Sequence, residues 1–304
     1  MFLSDTIMPL QKSTLGYILV LLSALLWGST AAVVKILLVN LDTFQLLLMV
    51  SLFCSTSLFI VVLLQKKLPI IKAYKAKDYH TFALMGLIGI FLYTLLLYRG
   101  LSLMSAQEAF IINYLWPVMV MVFSALILKE KLTFKKIAGI TISFFGIFVV
   151  ISKGNLLSLR FDSPLGITCI ITGAVLYGLF SVLDKKHDYE KVTSIMFYYA
   201  FCFIYTLAAV LLFSKIPAIT FQQFLGLLWL GGIVNGISTI FFLLSLKLGD
   251  TVKMSNVVLV TPFISLVYIR VMTGEQILLP SVIGLIIIVS GILVQTLRRK
   301  GKNL

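Results

Sequence analysis

Asn113, Trp116 and Pro117 carry the densest chemistry in this 304-residue chain. Proline removes a backbone donor and clashes with the carbonyl four residues back. Pro117 therefore frees the carbonyl near Asn113, and Pro262 frees one near Val258. Positions three and four apart share a helical face, which groups Asn113, Trp116 and Pro117. A carboxamide beside an indole suits a ligand with a polar head and an apolar side, as in an amino acid. The structural alternative is that Asn113 bonds a neighbouring helix and the prolines only bend theirs.

Other residues extend this set. Asn235 and Ser238 are three apart, with Thr239 beside them, and can line a cavity or pack. Tyr93 lies in a similar apolar run. Trp27 and Tyr177 are aromatic walls able to stack on a ring or a cation, or anchors at a membrane surface. Trp27 is too deep in its apolar run for an anchor. Glu108 can bind an amino group or carry a coupling proton; the alternative is an ion pair with Arg99 across a tight turn. Glu130 and Glu275 read as stabilisers of loops and helix starts. No catalytic set is present: there is no GxSxG, P-loop or HExxH. Cys54, Cys169 and Cys202 lie singly in apolar runs and read as buried free thiols. His80 and His187 fall in or beside polar loops, so the sequence offers no metal site and no cofactor.

The elements that must position these residues follow from composition. Sixty per cent of the chain is hydrophobic and 12% is charged. That excludes a soluble enzyme, a disordered chain and a disulfide scaffold, and leaves an all-α polytopic membrane protein. Apolar runs bounded by polar residues predict ten transmembrane helices near 15–35, 43–64, 80–98, 106–128, 134–152, 165–184, 193–213, 221–245, 252–272 and 278–297. Asp42, Ser163, Thr193 and Thr220 are expected N-caps, Thr220 in a capping box with Gln223. The first run, Leu15 to Val34, reads as a retained span rather than a cleaved leader. Most of the 25 Lys and Arg residues fall on one side, with only Lys35, Arg99, Lys153, Arg160, Lys215 and Arg270 on the other. This bias places both termini in the cytoplasm and an even number of spans in the cell (plasma) membrane. The net charge of +14 lacks an interleaved aromatic stripe, so no nucleic-acid partner is expected.

The chain also repeats. At an offset of 150, Gly16, Trp27, Gly28 and Lys35 meet Gly166, Tyr177, Gly178 and Lys185. At 145, Gly86, Pro117, Glu130, Gly139 and Gly146 meet Gly231, Pro262, Glu275, Gly284 and Gly291. This predicts two five-helix repeats, 15–152 and 165–297, with short cytoplasmic tails at 1–14 and 298–304. Five is odd, so the second copy enters from the opposite side. Inverted-topology repeats are typical of secondary transporters, with the substrate between the repeats. The glycines of spans five and ten make smooth faces, for packing within the fold or between protomers.

The stretch Glu108 to Pro117, then Lys129-Glu130-Lys131-Leu132, Gly139 to Gly146 and Leu26-Trp27-Gly28, resembles the EamA-type module of the drug/metabolite transporter superfamily. The segment Asn113 to Pro117 is similar to the YddG-like exporters of aromatic and neutral amino acids. The second half departs from that pattern, with Thr261-Pro262 where the first has Trp116-Pro117. The resemblance implies a plasma-membrane carrier that moves amino acids outward by alternating access. The candidate substrate contacts read from the residues are Trp27, Tyr93, Glu108, Asn113, Trp116, Pro117, Tyr177, Asn235, Ser238 and Pro262. The expected partners are a small-molecule substrate and the lipid bilayer. A drug, purine or choline-like carrier, and a non-transporting membrane scaffold, stay open at this point. So do the oligomeric state and the choice between facilitated and proton-coupled movement.

Overall fold

A computed structural model describes residues 9–155 and 163–296. The expectations for residues 1–8, Arg160 and residues 297–304 lie outside the described residues. Among the described residues the chain is helical, without strands. Nine helices are long and apolar enough to cross a membrane: α1 (Lys12–Leu37), α2 (Thr43–Leu64), α3 (Ala76–Leu103), α4 (Ala106–Ile127), α5 (Phe134–Ile151), α6 (Pro164–Lys185), α7 (Lys191–Phe213), α8 (Phe221–Leu248) and α9 (Lys253–Thr273). The tenth, α10 (Leu279–Thr296), has a shorter apolar run, Leu279–Val294. Where ten transmembrane helices were expected, the described residues thus hold nine candidate spans and one shorter apolar helix.

Local chemistry sets many boundaries. Asp42 accepts from the amides of Phe44 and Gln45, and Gln45 answers in a capping box. Ser163 caps α6 at Gly166, with Pro164 in the first turn. Thr220 and Gln223 form the expected box at α8. Thr193 does not cap α7: Glu190 does, accepting the Thr193 amide at 2.9 Å. Its carboxylate is also drawn there by Lys67 at 2.7 Å. On α1, Ile18, Leu21, Leu22 and Leu25 are all exposed. Their helical spacing makes an apolar stripe that suits lipid.

Two helices are broken where the sequence has proline. The first part of α4, Ala106–Asn113, stops before Trp116–Ile127 begins. Between them the amides of Tyr114 and Leu115 bond the carbonyls of Ile111 and Ile112, each three residues back. Such tightened turns take up backbone groups where the α pattern fails. In α9 a 3-10 turn, Val258–Val260, precedes Thr261 and Pro262. A second kind of irregularity occurs in α3 and α8, which are π-helical over Gly86–Leu92 and Leu228–Ile237. A π stretch widens the turn and re-aims the residues that follow it.

The glycine faces of α5 and α10 pack against each other within the fold. A β-carbon on Gly284 would lie 2.7 Å from the Gly146 carbonyl oxygen, and one on Gly146 would lie 2.7 Å from the Gly284 carbonyl oxygen. Backbone faces backbone there, so neither side can yield. Gly284→Val should therefore cost about 1–3 kcal/mol by overpacking, read as a lower thermal unfolding midpoint in detergent. An unchanged midpoint would contradict this packing.

Candidate functional site

Asn113 ends the first part of α4 and Trp116 opens the second. The break interrupts the helical face expected to join them. Asn113 is buried, at 4% exposure. Its Nδ2 donates to the Tyr93 hydroxyl at 3.2 Å. Tyr93 is the first residue after the π stretch of α3. Its ring lies 4.5 Å from that of Tyr177 on α6, centroid to centroid. Tyr177 in turn meets Trp116 at 5.2 Å, nearly perpendicular. Four predicted residues, from α3, α4 and α6, thus form one small aromatic box, linked in the order Asn113, Tyr93, Tyr177 and Trp116.

The box has an unmet requirement. Asn113 Oδ1 is buried and has no hydrogen-bond partner. Turning the amide over would exchange the atom that meets Tyr93 and leave its other end unserved. A buried polar group in that condition costs about 1–3 kcal/mol. On α9, Thr261 Oγ1 and Ser265 Oγ are in the same condition. They are four residues apart, so they share a face. Thr261 faces the Tyr114 phenol without an aligned hydrogen bond. These two hydroxyls escaped the sequence reading; the signal for Thr261 was its place beside Pro262.

The remaining predicted residues lie in other surroundings. Trp27 of α1 packs edge-on against Phe242 of α8, 5.3 Å away. Asn235 Nδ2 donates to the Leu230 carbonyl, 2.8 Å away and five residues back. The Ser238 hydroxyl bonds the Val234 carbonyl. Ser23 donates to the Ser238 carbonyl at 2.9 Å. Pro117 and Pro262 sit in the first turns that follow the two breaks. Glu108 is buried, but its partner is not Arg99, which is exposed. Its carboxylate accepts from Ser105 at 2.8 Å and faces Lys153 at 3.6 Å. Ser105 caps α4 and folds the Glu108 side chain back over the helix start, where a negative charge is favoured. A small crevice with about 10 Å³ of water-accessible space adjoins this pair, lined also by Met104, Ile112, Ile151, Ser163 and Ile167.

Among the described residues, the ion pairs lie at helix ends and in the connections. Glu275 does stabilise a helix start, but that of α4: it accepts the Ala106 amide at 3.0 Å and the Gln107 amide at 3.4 Å. Glu130 holds Lys136 at 3.0 Å and Lys185 at 3.6 Å. Burial would raise the Glu190 carboxyl, but the Lys67 ammonium and the Thr193 amide outweigh it and hold the group below its ordinary range.

A model of the EamA-like transporter family matches residues 14–152 and again 164–297. The chain belongs to the EamA-like transporter family. Its relatives include an uncharacterized transporter of Clostridium kluyveri, 25% identical over 300 residues, covering 95% of each chain. The uncharacterized transporter YoaV of Bacillus subtilis is 24% identical over 293 residues, covering 94% of this chain and 97% of its own. A crystal structure at 19% identity has a TM-score of 0.65 and covers 93% of this chain and 94% of its own, which shows the fold. This EamA-like chain is thus a multi-pass membrane transporter.

The Lys67–Glu190 pair ties the α2–α3 connection of this EamA-like transporter to the start of α7. A carboxylate with a lowered pKa stabilises the fold above its ordinary value of 4.5 and loses that effect as pH falls through the folded value. The unfolding midpoint of Glu190→Gln should lie below wild type at pH 7. The gap should close as pH falls below 4.5. A gap that widens in acid would contradict the assignment.

Proposed function

We propose that this EamA-like transporter is a secondary carrier that exports aromatic or neutral amino acids across the plasma membrane, by alternating access between two inverted repeats, 15–152 and 165–297. The observation that carries this is the unserved amide end of Asn113 inside the box of Tyr93, Trp116 and Tyr177. An amino acid brings both an ammonium and a carboxylate to such an amide, and its side chain finds aromatic faces. The box itself contains no charged residue, which suits a substrate whose own charges balance.

The inverted repeat is supported by paired irregularities. α4 and α9 are each interrupted just before a proline inside the span, and both α3 and α8 contain a π stretch. A β-carbon on Gly28 would lie 3.4 Å from Ser265 N, and one on Gly178 would lie 3.0 Å from Val120 N. Those contacts correspond under the offsets of 150 and 145. With five spans per repeat, the lysine-rich loops and both termini lie in the cytoplasm. A quaternary amine carrier is the second reading, because the Trp116 and Tyr177 faces attract cations.

The test is flux in proteoliposomes with labelled Phe, Trp, Thr, Met, a purine and choline, with and without a proton gradient. Saturable amino-acid flux is expected. Asn113→Ala should lower it about 10- to 100-fold at equal reconstitution, since a hydrogen bond to a charged group contributes about 1.5–3 kcal/mol. Flux of choline or purine alone would overturn the substrate. No flux of any of these would overturn the amino-acid reading and leave the family and the fold alone standing.

A further inference from the structure

The turn between α3 and α4 is gripped from two directions. Lys35 of α1 donates to the carbonyls of Leu101 at 2.8 Å and Met104 at 2.7 Å. Glu275, beyond the end of α9, accepts the amides of Ala106 and Gln107. A cation thus sits on the carbonyls ending one helix and an anion on the amides starting the next, each favoured by the helix dipole. The sequence offsets map Lys35 on Lys185, Glu275 on Glu130, and the 101–106 turn on 246–251.

On the other face the equivalent pair behaves differently. Among the described residues, Glu130 meets Lys136 and Lys185, and not the 246–251 turn. The start of α9 is served locally, by Asp250 accepting from the Lys253 amide at 2.9 Å. One Lys–Glu couple is therefore spread across its turn, and the other is closed on itself.

We propose that Lys35–Glu275 and Lys185–Glu130 are alternating latches: each couple either clamps its turn or pairs with itself, and the two exchange arrangements during transport. This rests on the alternating-access reading of the inverted repeat. Each couple has two arrangements, and both ions keep a partner in either one. Keeping every ion partnered holds the two arrangements close in energy, which gives a two-state element. The clamped latch has one more rung. Gln107 donates to the Gln276 carbonyl at 2.7 Å and accepts the Leu278 amide at 3.0 Å. Its repeat counterpart is Val252, which cannot do this, so the carrier without substrate favours the state seen here.

The test is distance measurement by pulsed electron spin resonance on the full chain in liposomes, with Cys54, Cys169 and Cys202 replaced by alanine. Labels at Ser102→Cys and Gln276→Cys report on the Glu275 face, and labels at Lys131→Cys and Lys247→Cys report on the Glu130 face. All four positions are exposed. Glu275→Gln should lengthen the first distance by about 5 Å, near one helical turn, and shorten the second. Gln107→Val should act in the same sense but less. Adding Glu130→Gln should cancel the shortening. If Glu275→Gln lowers folded yield, Lys35→Gln serves in its place. A first distance that lengthens with the second unchanged would make Glu275 a plain loop contact and overturn the proposal, as would no movement at either face. Saturable wild-type flux with no exchange of distances would remove the latches alone. Exchange without amino-acid flux would remove the substrate and keep the latches.

Discussion

Hydrocarbon offers no water to a polar group, so everything polar inside a membrane-spanning bundle must be served by the protein or by what it carries. The arrangement of this transporter follows from where that rule is met and where it is not. Pro117 cannot donate to the Asn113 carbonyl, and just before it the amides of Tyr114 and Leu115 bond carbonyls three residues back instead of four. Asn113 sits at the edge of that break with half its amide unserved. The π stretch of α3 ends at Tyr93, which supplies the other half. Serine and threonine hydroxyls elsewhere in the spans mostly return to carbonyls of their own helices, as Ser51, Ser181, Thr206 and Thr239 do. Asn113, Thr261 and Ser265 stand out against that background because their surroundings leave capacity unused.

The separation of neutral and charged chemistry has a functional consequence. The box of Tyr93, Asn113, Trp116 and Tyr177 is polar but uncharged. The ion pairs stand at the helix ends: Lys67 with Glu190, Lys191 with Asp184, Lys136 with Glu130 and Lys153 with Glu108. A fixed charge at the centre would bind an ion tightly and release it slowly. A neutral amide with aromatic walls lets a zwitterion bring its own compensation. Fixed charges at the ends can change partners there without a field crossing the box.

Much of this was legible in the sequence because it rests on local rules. Apolar length marked the spans, Asp42, Ser163 and Thr220 marked starts, and the offsets paired prolines, glycines and the two glutamates. Asn113 and Trp116 were legible from their spacing before Pro117, Tyr177 as the repeat partner of Trp27, and Tyr93 as a polar aromatic in an apolar run. What escaped depends on neighbours far along the chain. Glu108 finds Lys153 across the bundle rather than nearby Arg99. Glu190 caps α7 in place of Thr193, where Lys67 also reaches it. Asn235 was expected on a regular face, but the π stretch turned its amide onto the Leu230 carbonyl. Lys35 was counted as a stray charge on the sparse side, and only its two carbonyl partners explain it.

The central claim is that substrate occupies the box beside Asn113. The most direct measurement uses Trp116 as the sole tryptophan, with Trp27→Phe and Trp229→Phe, and titrates the purified protein with phenylalanine or methionine. The account predicts a saturable change in Trp116 emission that disappears in Asn113→Ala. A carrier that moves the same amino acid saturably while Trp116 emission stays constant would contradict it.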